Sequence, residues 1–155
     1  MVIKMRRSDR ALSLSESKEI LINGEYGILS TTSTDGQPYG VPLNYCYLRD
    51  NIYFHCALEG HKLENVKANN KVSFCVVGKT ELLPETFSSK YESVIVLGNI
   101  IEVTEEDEKQ FVLKELLKKY YQNDDDKGLQ YINKFKEETK VFKISVEDIT
   151  GKSKK

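Results

Sequence analysis

A chain of 155 residues and 17.8 kDa is the size of one ordinary domain, long enough to bury an apolar core without disulfides or a structural metal. Its 23 basic and 24 acidic side chains leave a net charge of -1, so no global field draws the molecule to nucleic acid or anionic lipid. The longest apolar runs, such as Val94 to Leu97, fall far short of the roughly 20 residues that cross a bilayer, and no apolar signal segment follows the basic start at Lys4, Arg6, Arg7 and Arg10. A single cytoplasmic domain over residues 1–155, with no membrane partner, is expected. Cys46, Cys56 and Cys75 are odd in number, lack CxxC spacing and sit in apolar segments, which suits reduced thiols packed as small hydrophobes.

Ser13 followed by Glu16 is a capping-box signal, and it predicts a short helix from Leu14 to Asn23 that Gly24 stops. Tyr26 to Thr32 reads as a strand running into the turn Ser33-Thr34-Asp35-Gly36. Tyr39 to Leu48 then places Val41, Leu43, Tyr45 and Tyr47 on one face at period two. Pro42 interrupts this strand's donors, so the chain there is an edge or a bulge with backbone open to a ligand. After the turn Arg49-Asp50-Asn51 a third strand is expected over Ile52 to Cys56, and Gly60 opens a helix of two turns carrying Leu63, Val66 and Ala68.

Lys71 to Val77 returns to strand, and Gly78 to Ser89, with Pro84 and several Ser or Thr residues, is expected as a loop. Tyr91 to Val103 is the most β-biased stretch, with a bend at Gly98. Glu105 to Glu108 sit where carboxylates favour the start of a helix that carries Phe111, Leu113, Leu116, Leu117 and Tyr120. Asn123 to Asp126 should break it, Leu129 to Phe135 is expected to form another helix, and Val141 to Val146 alternates as a final strand before a basic tail. Strands joined this tightly are antiparallel, and six of them with peripheral helices predict a mainly β fold, a small six-stranded antiparallel barrel.

Chemistry concentrates in His55-Cys56-Ala57-Leu58-Glu59-Gly60-His61-Lys62, which holds both histidines, a thiol and a lysine at a strand-to-helix junction. Gly-His-Lys at a helix start offers backbone N–H groups, a positive dipole end and side-chain donors, a combination suited to a phosphate. The plain alternative is a turn glycine beside two solvated side chains. A metal site is not expected, because His55 and Cys56 are consecutive on a strand and point to opposite faces. The same geometry argues against Cys56 as a nucleophile activated by His55. Neither a P-loop nor GxGxxG occurs, and basic residues do not interleave with the strand aromatics, so no nucleic-acid partner is expected.

Four motifs in order carry a further signal: Gly27-Ile28-Leu29-Ser30-Thr31 with Asp35-Gly36-Gln37-Pro38, Tyr39-Gly40-Val41-Pro42-Leu43-Asn44-Tyr45, Ile52-Tyr53-Phe54-His55 through Gly60-His61-Lys62, and Tyr91-Glu92-Ser93-Val94-Ile95-Val96-Leu97-Gly98. Together they resemble the flavin-binding split-barrel proteins related to pyridoxamine 5'-phosphate oxidase, especially the nitroimidazole-resistance branch. The resemblance implies a split β-barrel, a homodimer, and FMN in a groove between the subunits. Carried over by position, the flavin contacts fall on Val41, Pro42, Leu43 and Asn44, and the phosphate pair on His61 and Lys62. His55, Cys56 and Gly60 would line the approach, and Ser93 would be the polar residue of the long strand.

The oxidase usually has arginine where this chain has His61, and its C-terminal arginine motif has no counterpart in Val146 to Lys155, so vitamin B6 oxidation is not expected. The implied activity is an FMN-dependent oxidoreductase that passes electrons from a reduced nicotinamide, NADH or NADPH, to a small acceptor such as a nitro compound. No side chain is assigned as a catalytic acid or base; turned toward the flavin, His61 would be the candidate donor of a proton to the acceptor. A module that stores, senses or carries flavin or haem, and a cofactor-free dimer that offers its barrel as an interaction surface, fit the same pattern.

Overall fold

Ser13 caps the first helix, α1 (Leu14–Asn23), through the reciprocal bonds that the sequence predicts: its hydroxyl accepts the Glu16 N–H at 3.2 Å, and the Glu16 carboxylate accepts the Ser13 N–H at 2.9 Å. α1 buries Ile20 and Leu21 and leaves Leu14 and Ile22 to solvent. In the computed structural model, which describes residues 3–122 and 125–155, the elements that follow are β1 (Gly27–Thr32), β2 (Pro38–Leu43), β3 (Cys46–Leu48), β4 (Asn51–Cys56), α2 (His61–Ala68), β5 (Lys71–Leu83), β6 (Ser88–Glu102), α3 (Glu106–Tyr120), α4 (Asp125–Phe135) and β7 (Lys140–Lys154). The expected helix break at Asn123 to Asp126 falls partly on Asn123 and Asp124, which lie outside the described residues.

All seven strands join one antiparallel sheet in the order β2-β1-β5-β6-β7-β4-β3. Its two end strands, β2 and β3, are edges that do not pair with each other, so the barrel is split rather than closed. The inward-facing residues Leu29, Ile52, Phe54, Phe74, Val76, Val94, Val96 and Ile144 are fully buried, with Ile20 and Leu21 of α1 packed among them. A second core forms where α3 and α4 bring Val112, Leu116 and Ile132 onto Cys46, Tyr53 and Val141. β4 separates the two, because successive side chains of a strand point to opposite faces: Ile52 and Phe54 enter the first core and Tyr53 the second.

Three stretches differ from the sequence expectation. The strand expected over Tyr39 to Leu48 is two, β2 and β3, divided at Asn44 and Tyr45, which raises the strand count from six to seven. Buried Tyr45 donates its hydroxyl to the Leu21 carbonyl at 2.5 Å, tying that break to the end of α1. The expected loop from Gly78 to Ser89 is mostly strand: after a register shift between Val77 and Thr80, β5 and β6 run on as a two-stranded arm that turns over Pro84–Thr86. Pro84 and the Ser and Thr residues around it hid the arm, whose strands pair with each other over no core and leave Leu82 and Phe87 exposed. The basic tail is likewise the second half of β7, in register with β6 out to Tyr91 opposite Lys154. The bend expected at Gly98 is a bulge between Leu97 and Gly98, where a Cβ would collide with the Ser145 carbonyl.

Candidate functional site

β2 is an edge strand in regular register with β1, and Pro42 sits opposite Ile28 without a bulge. An edge is where a proline that cannot donate costs no ladder bond, and it leaves backbone groups of Val41 to Asn44 facing away from the sheet. Tyr39, Val41 and Leu43 share the inward parity, and Val41 and Leu43 pack on the first core, whereas Pro42 and Asn44 are exposed.

α2 starts beside this edge. Gly60, with φ of 149° and open space around its Cβ position, turns the chain into the helix through a conformation that L side chains rarely adopt. Its carbonyl accepts the Leu63 and Glu64 N–H groups, so the N–H groups of His61 and Lys62 take no backbone acceptor. The His61 ring meets the Tyr39 ring edge-on at 4.8 Å between centroids, and its Nδ1 lies 3.9 Å from the Glu64 carboxylate. Lys62 is half-buried, and its charge acts on the Cys56 thiol, which faces the first core. His61, Lys62, Gly60 and Cys56 are therefore brought together at one end of β2, as the sequence suggests.

Two predicted residues lie elsewhere. His55 points to the other face of β4, toward a cleft of about 820 Å³ between α3 and α4 whose lining includes Lys114, Leu117, Lys118, Tyr131 and Ile132. His55 is exposed on that face, and partial desolvation by its neighbours holds its pKa below the ordinary imidazole value. Ser93 is on the outer face of β6, in register with Val77 and Lys152. The β2 edge is three ladder steps away, about 14 Å at the usual strand spacing. Within one chain neither joins the group around His61.

The cysteines are free, Cys46 buried and Cys56 and Cys75 half-buried. Burial pushes the Cys46 thiol up to about 12, against a smaller opposing effect of the Lys119 charge, and desolvation also raises Cys56 and Cys75. Among the described residues no group of three or more His, Cys, Asp or Glu side chains is placed to hold a metal ion. No helix among them is long and apolar enough to cross a membrane.

Tyr39 was missed as a neighbour of the site, although it shares the period-two parity of Val41 and Leu43. Nothing local in the sequence marks its contact with His61, because the two meet only when α2 folds back over β1.

The family model for pyridoxamine 5'-phosphate oxidase matches residues 13–153, which takes in every strand but the last residue of β7. The chain belongs to that family. No curated protein matches it closely enough to add a nearer relative. Among solved structures, a candidate 5-nitroimidazole antibiotic resistance protein from Bacteroides thetaiotaomicron is 24% identical, with a TM-score of 0.75 over 92% of this chain and 86% of that one. A FAD-binding protein from Mesorhizobium loti is 25% identical, with a TM-score of 0.67 over 94% and 98%. HutZ, the haem storage protein from Vibrio cholerae, shares the fold at 13% identity, with a TM-score of 0.68 over 90% and 94%. The pyridoxamine 5'-phosphate oxidase family thus accounts for the split barrel.

Proposed function

We propose that this member of the pyridoxamine 5'-phosphate oxidase family binds FMN and works as an oxidoreductase, taking electrons from a reduced nicotinamide and passing them to a small acceptor of nitroaromatic type. The observation that carries this proposal is the start of α2, where two N–H groups without backbone acceptors, an exposed His61 and a half-buried Lys62 lie beside an edge strand. These residues fit a phosphate ester: the helix end and the Lys62 ammonium favour a dianion, and Gly60 lets it approach the backbone closely. FMN, when bound, supplies a ring that accepts and donates hydride; the chain's own part is to bind and orient it. In this assignment His61 and Lys62 grip the phosphate, backbone of Val41, Pro42, Leu43 and Asn44 meets the ring edge, and Cys56 and Gly60 line the approach.

The working form is a homodimer. The outer face of β2, β1, β5, β6 and β7 carries Pro42, Ile28, Cys75, Ile95 and Thr150 in one row, and Ile95 is 47% exposed. Ser93 lies in the next row of that face, so a second copy packed on it would bring a Ser93 toward the β2 edge that Ser93 cannot reach within its own chain. The Mesorhizobium loti neighbour supports a flavin, and the Bacteroides neighbour supports a nitro-compound acceptor.

A storage or carrier role for haem is the second reading, favoured by His55: an imidazole disposed to stay neutral, facing a lysine-bearing cleft, matches the needs of an iron ligand and of carboxylate partners. Titration of the purified protein with FMN, riboflavin and haemin separates the two. The flavin assignment expects FMN to bind at least about tenfold more tightly than riboflavin, with that preference lost in His61→Ala/Lys62→Ala, since a phosphate held by a lysine ammonium and a second side-chain donor is worth more than about 1.4 kcal/mol. It also expects the yellow complex to bleach when a nicotinamide donor is added. Equal losses for the two flavins would overturn the phosphate assignment, and a haemin Soret band abolished by His55→Ala, with no flavin uptake, would favour haem.

A further inference from the structure

Among the described residues, and leaving aside the hydroxyls of Tyr45 and Tyr53, three polar side chains are buried beside the core: Ser17, Thr31 and Asn65. Ser17 returns its hydroxyl to the Ser13 carbonyl within α1. Thr31 and Asn65 bond to each other: the Asn65 amide of α2 donates to the Thr31 hydroxyl of β1 at 3.0 Å, with the two residues 3% and 2% exposed. The Thr31 hydroxyl in turn lies 3.4 Å from the Tyr39 carbonyl, to which it donates, and Thr31 and Tyr39 are direct partners in the β1–β2 register.

His61 stands four residues before Asn65, one helical turn away on the same face of α2, and it packs on the ring of that same Tyr39. One rung of the ladder therefore holds two consecutive turns of the helix, by a buried hydrogen bond at Asn65 and by a ring contact at His61. An apolar contact would stabilise the helix equally well but would tolerate sliding and rotation. A buried amide that must find its hydroxyl does not, because leaving either partner unpaired costs the desolvation of that group.

We infer that Thr31, Asn65 and Tyr39 are positioning residues for the anion grip: they fix the rotation and height of α2 on the β1–β2 hairpin so that His61 and Lys62 converge beside the exposed edge of β2. This rests on the phosphate assignment made above. It goes beyond that assignment in saying that selectivity for a phosphorylated ligand is set by a buried polar pair that does not touch the ligand.

The test is the double variant Thr31→Val/Asn65→Leu, which removes both side-chain partners of the buried bond together, with Thr31→Ser as the conservative variant that keeps the hydroxyl. Two readouts are taken on folded protein. In the first, FMN affinity should fall about tenfold in the double variant, the equivalent of one charge-assisted hydrogen bond, while riboflavin affinity changes less than about twofold; Thr31→Ser should keep the FMN preference.

The second readout needs no ligand. The chain has two histidines, so His61→Gln assigns the His61 ring protons in an NMR spectrum, and their ring-current shift from Tyr39 should collapse in the double variant and in Tyr39→Leu but persist in Thr31→Ser. An unchanged ring-current shift in the double variant, or equal losses of FMN and riboflavin, would overturn the positioning role. Should wild-type protein show no preference for FMN while the ring shift behaves as expected, the phosphate assignment fails and the inference about selectivity falls with it, leaving only a structural bond. Loss of the FMN preference in His61→Ala/Lys62→Ala but not in Thr31→Val/Asn65→Leu would keep the assignment and reject the inference.

Discussion

Tyr120 shows how much one hydroxyl at the end of a helix can hold. Its oxygen accepts the Tyr45 N–H at 3.0 Å and donates to the Glu25 carbonyl at 2.5 Å, so the last turn of α3 is tied both to the start of β3 and to the chain just before β1. Lys119 adds a second tie, donating to the Tyr45 carbonyl at 2.9 Å with its ammonium 4.0 Å from the centre of the Tyr45 ring. These bonds fix the chain immediately after Asn44, where β2 ends. Tyr120→Phe would keep the ring packing but leave the part-buried Tyr45 N–H without its acceptor, a loss of about 1–3 kcal/mol. The expected result is a lower urea midpoint with an unchanged slope, and an unchanged midpoint would show that water replaces the hydroxyl there.

Cap signals and alternating patterns work because they depend on neighbours in sequence, and elements with such signals were legible. The Ser13–Glu16 box placed α1 to the residue, and Gly60 placed the start of α2. Ser13→Ala should lower stability by about 1 kcal/mol through the orphaned N–H groups of the first turn, read as a shift of the urea midpoint; a change below about 0.3 kcal/mol would mean that contacts of α1 with the sheet alone hold its first turn. Elements that carry no apolar alternation were not legible. The arm of Thr80 to Tyr91 is strand because its two halves pair with each other, and nothing in Lys79-Thr80-Glu81 or Ser88-Ser89-Lys90 announces a partner that lies across a turn. The division of Tyr39 to Leu48 was hidden for the opposite reason: the alternation runs straight through it, while the break is enforced by Tyr45 and Tyr120, which are 75 residues apart.

At the scale of the whole molecule, part of the sheet's outer face has no helix over it among the described residues. α1 packs with the inward-facing residues and α3 and α4 cover the outer side of β3, β4 and the first half of β7, but the row through Ile28, Cys75 and Ile95 carries no covering element. An apolar row exposed on a β surface is costly to leave in water, and a second copy would cover it with an isologous contact. Light scattering at micromolar concentration is expected to give a mass near twice 17.8 kDa. Ile95→Glu should return it to the monomer mass by burying like charges across the two-fold axis. A wild-type monomer that binds FMN with full affinity would count against a groove shared by two subunits.

Local rules were enough to find the antiparallel β class, the edge-or-bulge alternative at Pro42 that strand order then decided as an edge, and the Gly60-His61-Lys62 helix start, since caps, turns and period-two faces are decided by residues close in the chain. The opposed directions of consecutive strand residues also separated His55 from Cys56, but the family resemblance still carried His55 to the approach of the His61 site, where a single chain does not place it. Tertiary structure alone decided what stands next to the helix start: Tyr39 against His61, Asn65 on Thr31, Ser93 three strands from the β2 edge, and His55 in a different cleft. Those neighbours are set by strand order and by how α2 folds back over β1, contacts between residues far apart in sequence whose pairing no local pattern encodes.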